Sequence, residues 1–330
     1  MRRPLIDFAL NLSEQDYRKY KAISYSRIKS YLTKGAGSLI AEPDEESESM
    51  AFGKLVDTLL TQRDLLDSLY YVVDIPNVPP KVLEVINIAE QSEIDLNTID
   101  NDDLDSLLSS ADYYNNYKPE TRIKKFREDS SELLRVTSNA GNRIIVTTSD
   151  FTEAHTLFKS IITAPFAEVY FPELTDDIEI FYQIQFAAYF NGIKVKCMFD
   201  KIIVNHTKKY ITLIDFKTTS DLEIDFIKPL FKFKYYIQAE LYRYILSEVL
   251  DEDSYYSEFT ISPFTFIVGN KVNLCPIAWE YPLDANHTDW MNAIKEMDIN
   301  FNTGQFKYYP STLDNKAILQ LNINDKSRVF

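Results

Sequence analysis

Cysteine, histidine, glycine and positive charge are all scarce in this chain, and each scarcity removes a class of function. Cys197 and Cys275 are its two cysteines in 330 residues. Two thiols cannot build a disulfide scaffold or a four-cysteine iron–sulfur cluster. Cys197 alternates with Phe199 along a strand-like segment, so it reads as a buried apolar residue. The three histidines, His155, His206 and His287, have spacings that suit no zinc site, and none has a serine or cysteine nucleophile for a partner. Seven glycines include no GxxxxGK or GxGxxG phosphate loop, which removes helicase and dinucleotide-enzyme readings. With 13 prolines besides, the chain is not of low complexity, and no internal repeat is evident. No apolar run reaches the ~18 residues a membrane span needs. The opening MRRPLIDFALNLSEQD has two arginines but no apolar core ending in small residues, so no secretory signal is expected. These absences predict a protein of the reducing cytoplasm with no membrane partner.

Lysine and arginine number 35 against 50 acids, a formal net charge of −15. That balance argues against a general nucleic-acid binder, because phosphate contacts need cations. The acid is uneven, however. Much of it lies in Pro43 to Ser49, read as an exposed loop, and in Glu90 to Asp112. Basic residues cluster elsewhere: Arg122, Lys124, Lys125 and Arg127; Lys194 and Lys196; Lys228, Lys232 and Lys234. An enclosing enzyme can be acidic outside and basic within. The 45% hydrophobic and 14% aromatic content supports a substantial core, in one large domain or two small ones.

The chain is organised around Asn191 to Thr218, NGIKVKCMFDKIIVNHTKKYITLIDFKT, which reads as two neighbouring strands joined by a polar turn. Side chains alternate across a pleat, so Ile211, Leu213, Asp215 and Lys217 share one face. Thr212, Ile214 and Phe216 take the other. On the preceding strand Lys194, Lys196, Met198 and Asp200 share a face unless a bulge intervenes. Two carboxylates brought together repel, unless a cation lies between them or one keeps its proton. A hard divalent cation with oxygen ligands, Mg²⁺ or Mn²⁺, is the natural reason for such a site. A lysine beside it can orient or deprotonate a water. Taken singly, Asp200 and the Asp215-Phe216-Lys217 triplet are unspecific. A following helix adds Gln238 and Tyr242, four apart on one face, beside an apolar stripe of Ile237, Leu241, Tyr244 and Ile245.

With Gly192 ahead of Asp200, then Asp215-Phe216-Lys217, then Gln238-Ala-Glu-Leu-Tyr242, the chain resembles the PD-(D/E)xK nuclease superfamily. Within it the chain is most similar to the RecB-like and RecE-type phage exonucleases. The proline usual before the first acid is Phe199 here. The resemblance implies Asp200, Asp215 and the backbone carbonyl of Phe216 as ligands of one or two Mg²⁺ or Mn²⁺ ions, and Lys217 as the residue that positions water. It implies that Gln238 holds the lysine or a DNA phosphate, and that Tyr242 contacts DNA. It extends weakly to the Ser24-Tyr25-Ser26 segment before a first helix, and to Gly53 and Asp57, where relatives often carry a G-x-x-x-H pair. Asp57 stands in place of that histidine and is a further candidate ligand; the competing reading is a polar residue on a half-exposed helix. A metal-shell glutamate of many relatives corresponds to Gln183, with Glu179 four residues earlier on the same face.

The expected fold is α/β: a restriction-endonuclease-like core with a central mixed sheet flanked by helices, one domain over 1–330. Its core is placed at about 165–250, a helical N-terminal part with a surface insertion at 1–164, and further strands and a helix at 251–330. Capped helices are expected after Ser13, after Ser24 or Ser26, over Met50–Gln62, over Pro119–Val136 with Arg122, Lys125 and Arg127 on a DNA path or a solvated face, and after a capping box at Asp150–Glu153. The implied activity is metal-dependent hydrolysis of linear duplex DNA from its ends, in recombination, in the cytoplasm of a bacterium if phage-encoded. A single-strand annealing partner and a homo-oligomer would fit. A structure-specific or nicking endonuclease of the same fold is one alternative, and a non-catalytic DNA-binding protein on a degenerate nuclease fold is another.

Overall fold

Three long alternating segments build the centre of the molecule. In the computed structural model, which describes residues 4–41, 48–251, 253–285 and 287–317, they are strands of a six-stranded mixed sheet. The strands are β1 (Ile23–Ser24), β2 (Ile178–Phe190), β3 (Ile193–Asn205), β4 (Tyr210–Thr219), β5 (Thr260–Asn270) and β6 (Pro276–Tyr281). β2 and β3 meet at Asn191-Gly192, both at positive φ (50° and 82°), as a tight two-residue hairpin requires. β4 runs antiparallel to β3 and parallel to β5, and β6 closes the sheet antiparallel to β5. The short β1 pairs in parallel with β3 at Val195 and Lys196, on the edge that β4 uses further along.

The helix Tyr235–Asp251 links β4 to β5 and packs on β2, β3 and β5. Its stripe of Ile237, Leu241 and Ile245 is fully buried, together with Phe186, Cys197, Phe199, Leu213, Phe264 and Phe266. Cys197 is therefore the apolar core residue that alternation suggests. The helix Asp289–Thr303 buries Trp290, Ile294 and Met297. The helix Glu48–Thr61 buries Phe52, Leu55, Val56, Leu59 and Leu60. The tail returns to the body, with Tyr309 edge-on to Tyr31 at 5.0 Å and its hydroxyl donating to the Tyr31 carbonyl. Among the described residues no helix is long and apolar enough to cross a membrane.

The chain divides into two compact units, Met1–Thr61 with His155–Phe330, and Gln62–Ala154. The first holds the mixed sheet. The second has its own core, where Val82, Val85, Leu104, Leu107, Leu108 and Phe126 join the helices Pro80–Gln91, Asn101–Ser110 and Pro119–Ala140. Tyr70–Val72 and Ile144–Val146 pair in parallel there.

Some details differ from expectation. The cap at the helix Thr148–Ile162 is Thr147, whose Oγ1 accepts the Asp150 N–H at 3.0 Å and donates to Asp150 Oδ2 at 2.7 Å. Asp150 thus ends the capping box instead of starting it. Ser24 occupies the N-cap of Tyr25–Lys34, but its side chain makes no cap hydrogen bond. The basic run of Pro119–Ala140 is engaged only in part, for Arg127 is exposed and donates to the Ile99 carbonyl and to Asn101 Oδ1. Arg122 is buried against Asp105 at 2.6 Å, and Lys125 pairs with Asp129 at 3.1 Å. Of the expected acidic loop Pro43–Ser49, residues 43–47 lie outside the described residues.

Candidate active site

The site forms where two strands part. The β3–β4 ladder runs from Asn205↔Tyr210 to Lys201↔Ile214 and then stops. From Asp215 to Thr219, β4 stays paired with β5 on its far side. Among the described residues its near edge has no strand partner there, which leaves a notch in the sheet. Asp200 fills the first vacancy: its Oδ2 accepts the Phe216 N–H at 2.8 Å. A side chain thus replaces a ladder carbonyl, and the acid is fixed at the head of the notch.

Alternation along β4 puts Asp215 and Lys217 on one face, where they form an ion pair. Asp215 is almost fully buried, and its Oδ1 accepts from Gln238 Nε2 at 2.5 Å. The helix Tyr235–Asp251 supplies that glutamine and also Tyr235, whose ring lies 4.9 Å beneath the Lys217 ammonium. Gln238 Oε1 is buried with no hydrogen-bond partner among the described residues.

A third carboxylate enters from the helix Glu48–Thr61. Gly53 lets that helix approach the end of β4: a Cβ there would stand 3.0 Å from Thr218 Oγ1. One turn on, Asp57 faces the notch, and its Oδ2 accepts from Gln183 Nε2 at 3.1 Å. The same Gln183 amide reaches Thr61 Oγ1 at 3.3 Å. Gln183 lies across from Asp200, between the paired Tyr182–Lys201 and Ile184–Phe199, with φ of 49° in mid-strand. Such a conformation costs a non-glycine residue ~1–3 kcal/mol and is concentrated at functional sites. Asp57 Oδ1 is buried with no hydrogen-bond partner among the described residues.

Three carboxylates and one ammonium share this poorly solvated space. Burial, and then the charge of Asp215, push the Asp57 carboxyl up to about 7, although Lys217 and the Gln183 hydrogen bond pull the other way. Asp200 is raised well above the usual carboxylate range, first by burial and then by Asp215 and Asp57. Burial alone would lower the pKa of Lys217, but Asp215 and Asp200 outweigh it and hold the ammonium more firmly than usual.

The donor chemistry suits a hard divalent cation: carboxylate oxygens from three elements, mutual repulsion, and a buried orphan oxygen on Asp57. The ligand set is not closed. Among the described residues no group of three or more His, Cys, Asp or Glu is arranged to hold a metal ion. Both oxygens of Asp215 are engaged, one by Gln238 and one by Lys217. A cation at Asp215 has to displace the Lys217 ammonium from it.

The structure thus brings together Asp57, Gln183, Asp200, Asp215, Lys217 and Gln238. Phe216 lies between the acid and the lysine, its ring stacked on Phe171 at 6.1 Å. Tyr242 does not open onto the notch. It packs edge-on to Phe199 at 5.2 Å and to Phe264 at 6.0 Å inside the core. Glu179 lies one end of β2 away from Gln183 and faces His206 Nε2 at 3.2 Å. Thr61, Thr218 and Tyr235 border the site unforeseen. Thr61 follows Asp57 by one turn and Tyr235 precedes Gln238 by one, so helical spacing was the available signal. No protein-family model matches the chain, and no curated protein matches it either.

Proposed function

We propose that this chain is a metal-dependent nuclease of the PD-(D/E)xK kind that hydrolyses phosphodiester bonds of linear double-stranded DNA from an end. The observation that carries the reading is the meeting of Asp57, Asp200, Asp215, Lys217 and Gln238 in one notch of a mixed sheet. The α/β architecture, with helices flanking a mixed sheet, agrees in class.

Mg²⁺ or Mn²⁺ held by Asp200 and Asp215, with Asp57 and the Phe216 carbonyl as further donors, would offset charge on the scissile phosphate and the leaving oxygen. Asp200 is pinned by the Phe216 N–H and Asp215 by Gln238, so the rearrangement a cation needs is the departure of the Lys217 ammonium from Asp215. Gln183 orients Asp57 through its amide N–H, and its carbonyl oxygen would be a further uncharged donor. Lys217 holds the attacking water. As the partner of Asp215 it is an ammonium and a hydrogen-bond donor, and it can accept a proton from water only after that pair opens and it has first given up a proton of its own. The same reading assigns the chain to recombination in the cytoplasm of a bacterium, in a phage or prophage setting, with a strand-annealing partner and assembly of several copies.

Digestion of linear and circular duplex DNA with Mg²⁺, Mn²⁺ or EDTA tests this, comparing wild type with Lys217→Ala and Asp215→Ala. Metal-dependent loss of the linear substrate alone, abolished by either substitution, is the expected result. Cutting of the circle would replace the exonuclease by an endonuclease. No digestion by folded wild type with any metal would overturn the enzyme reading.

A further inference from the structure

Most clustered cations of this chain are used up inside the fold. Arg122 pairs with Asp105 and Lys125 with Asp129. Lys196 is buried and donates to the carbonyls of Tyr17 and Tyr20, and Lys194 donates to the Tyr20 hydroxyl. The segment KPLFKFKYY, Lys228 to Tyr236, is different. Lys228 pairs with Asp225 at the surface. Among the described residues Lys232 and Lys234 meet no carboxylate; they stand over aromatic rings, Lys232 at 5.2 Å from Phe233 and Lys234 at 5.9 Å from Tyr236. Lys29, from the helix Tyr25–Lys34, also stands over the Phe233 ring, at 5.1 Å.

Of the rings, Phe231 is the exposed one, Phe233 and Tyr235 are half-buried, and Tyr236 is buried. Phe231 is 49% exposed, although a lone phenylalanine gains by burial. It stands 5.6 Å from Tyr236 and 6.0 Å from His287, whose own rings are 4.6 Å apart. The acids near this strip are occupied. Tyr236 donates to Asp289, and Glu240 accepts from Tyr281, His287 and Trp290. Glu223 accepts from Asn270 and Asn273. The strip also leads to the notch: Tyr25 donates to the Phe233 carbonyl at 2.6 Å, and Tyr235 underlies Lys217.

We propose that Phe231 to Tyr236 is a track for single-stranded DNA, delivering the strand to be cut to Lys217. A base stacks on the exposed face of Phe231, while Lys232 and Lys234 meet successive phosphates. Alternating rings and cations suit a single strand, because an unpaired base has a free face to stack and a duplex base has none. The delivery role rests on the nuclease reading; the binding does not. It gives that reading a finer substrate, a frayed or overhanging end in place of a closed duplex terminus.

Fluorescence anisotropy with a labelled oligothymidylate and its blunt duplex, in EDTA, tests the track apart from cleavage. Wild type should bind the single strand more tightly than the duplex. Phe231→Ala should weaken single-strand binding about tenfold, the size of one base stack removed. Lys232→Glu with Lys234→Gln should weaken it at low salt and reduce the salt slope by roughly 0.7 for each phosphate no longer neutralised. Thermal melting of each variant, with the lysine pair as a second route should Phe231→Ala fail to fold, separates weaker DNA binding from unfolding. No single-strand binding by wild type at low salt, or folded variants with unchanged affinity and slope, would overturn the track. DNA digestion with track variants unaffected would overturn the track alone. Track-dependent binding without digestion would keep the track and sink the nuclease.

Discussion

Replacing Asp57 by asparagine should stabilise the cation-free protein at pH 8. The folded Asp57 carboxyl has its pKa raised from an ordinary 3.8 to about 7, by burial first and the charge of Asp215 second. A carboxyl raised on folding holds its proton more tightly in the folded than in the unfolded chain. Its contribution is therefore fully present below about pH 4 and is lost as the pH rises through about 7. At 1.36 kcal/mol per pH unit that interval corresponds to roughly 4 kcal/mol of destabilisation when Asp57 is charged. Asparagine is isosteric with the protonated acid, and its carbonyl can still accept from Gln183. Asp57→Asn should thus match wild type below about pH 4, exceed it by roughly 2 kcal/mol at pH 5, and exceed it by roughly 4 kcal/mol at pH 8. Asp200, raised by Asp57 among other causes, shifts the same way. Urea unfolding in EDTA at these pH values measures this. Tryptophan fluorescence is a suitable probe, because Trp279 and Trp290 both belong to the unit that carries the site. Mg²⁺ should restore wild type at pH 8 and do less for the variant. If the variant is no more stable than wild type at pH 8, the acids are not in electrostatic conflict and the argument for a cation fails.

Lys217→Met leaves Asp215 buried and unpaired, so unfolding should become easier by about 3–5 kcal/mol at pH 8 and by less at pH 5; equal losses at both would place the cost in packing. Gln183→Leu removes the donor that orients Asp57, and calorimetric titration with Mn²⁺ should show affinity lowered by about 10–100-fold, as for other residues that orient a ligand. Unchanged affinity would leave Asp57 outside the cation site. Gly53→Ala forces a Cβ to 3.0 Å from Thr218 Oγ1 and should push Asp57 from the notch, with lower cation affinity. Adding Thr218→Ala should restore that affinity if the crowding is the cause.

The residues of the notch were legible in proportion to how local their placement is. Asp215 and Lys217 share a face by a period of two, and Asp57 follows Gly53 by one helical turn. These hold whatever the rest of the chain does. The notch itself was not legible, because it depends on where the β3–β4 ladder stops, after Lys201↔Ile214, and no single strand encodes that. The same is true of Gln183. Its positive φ and its bond to Asp57 arise from the meeting of β2 with a helix more than a hundred residues away in sequence.

Tyr242 shows how a correct face can still mislead. It lies one turn from Gln238, and both look towards the sheet. Gln238 overlies Asp215 on β4, whereas Tyr242 overlies Phe199 on β3 and Phe264 on β5. One helical turn is about 5.4 Å, and that step takes the side chain from the level of Asp215, where β3 and β4 have parted, to the level of Phe264 and its partner Leu213, inside the closed ladder. The basic runs follow the same rule. Arg122 and Lys232 look alike in a count of charge. One is buried against Asp105, and the other stands exposed over Phe233. A negative total therefore says little about whether a cationic surface exists. What decides is whether the fold gives each cation a carboxylate partner, and among the described residues Lys232 and Lys234 have none.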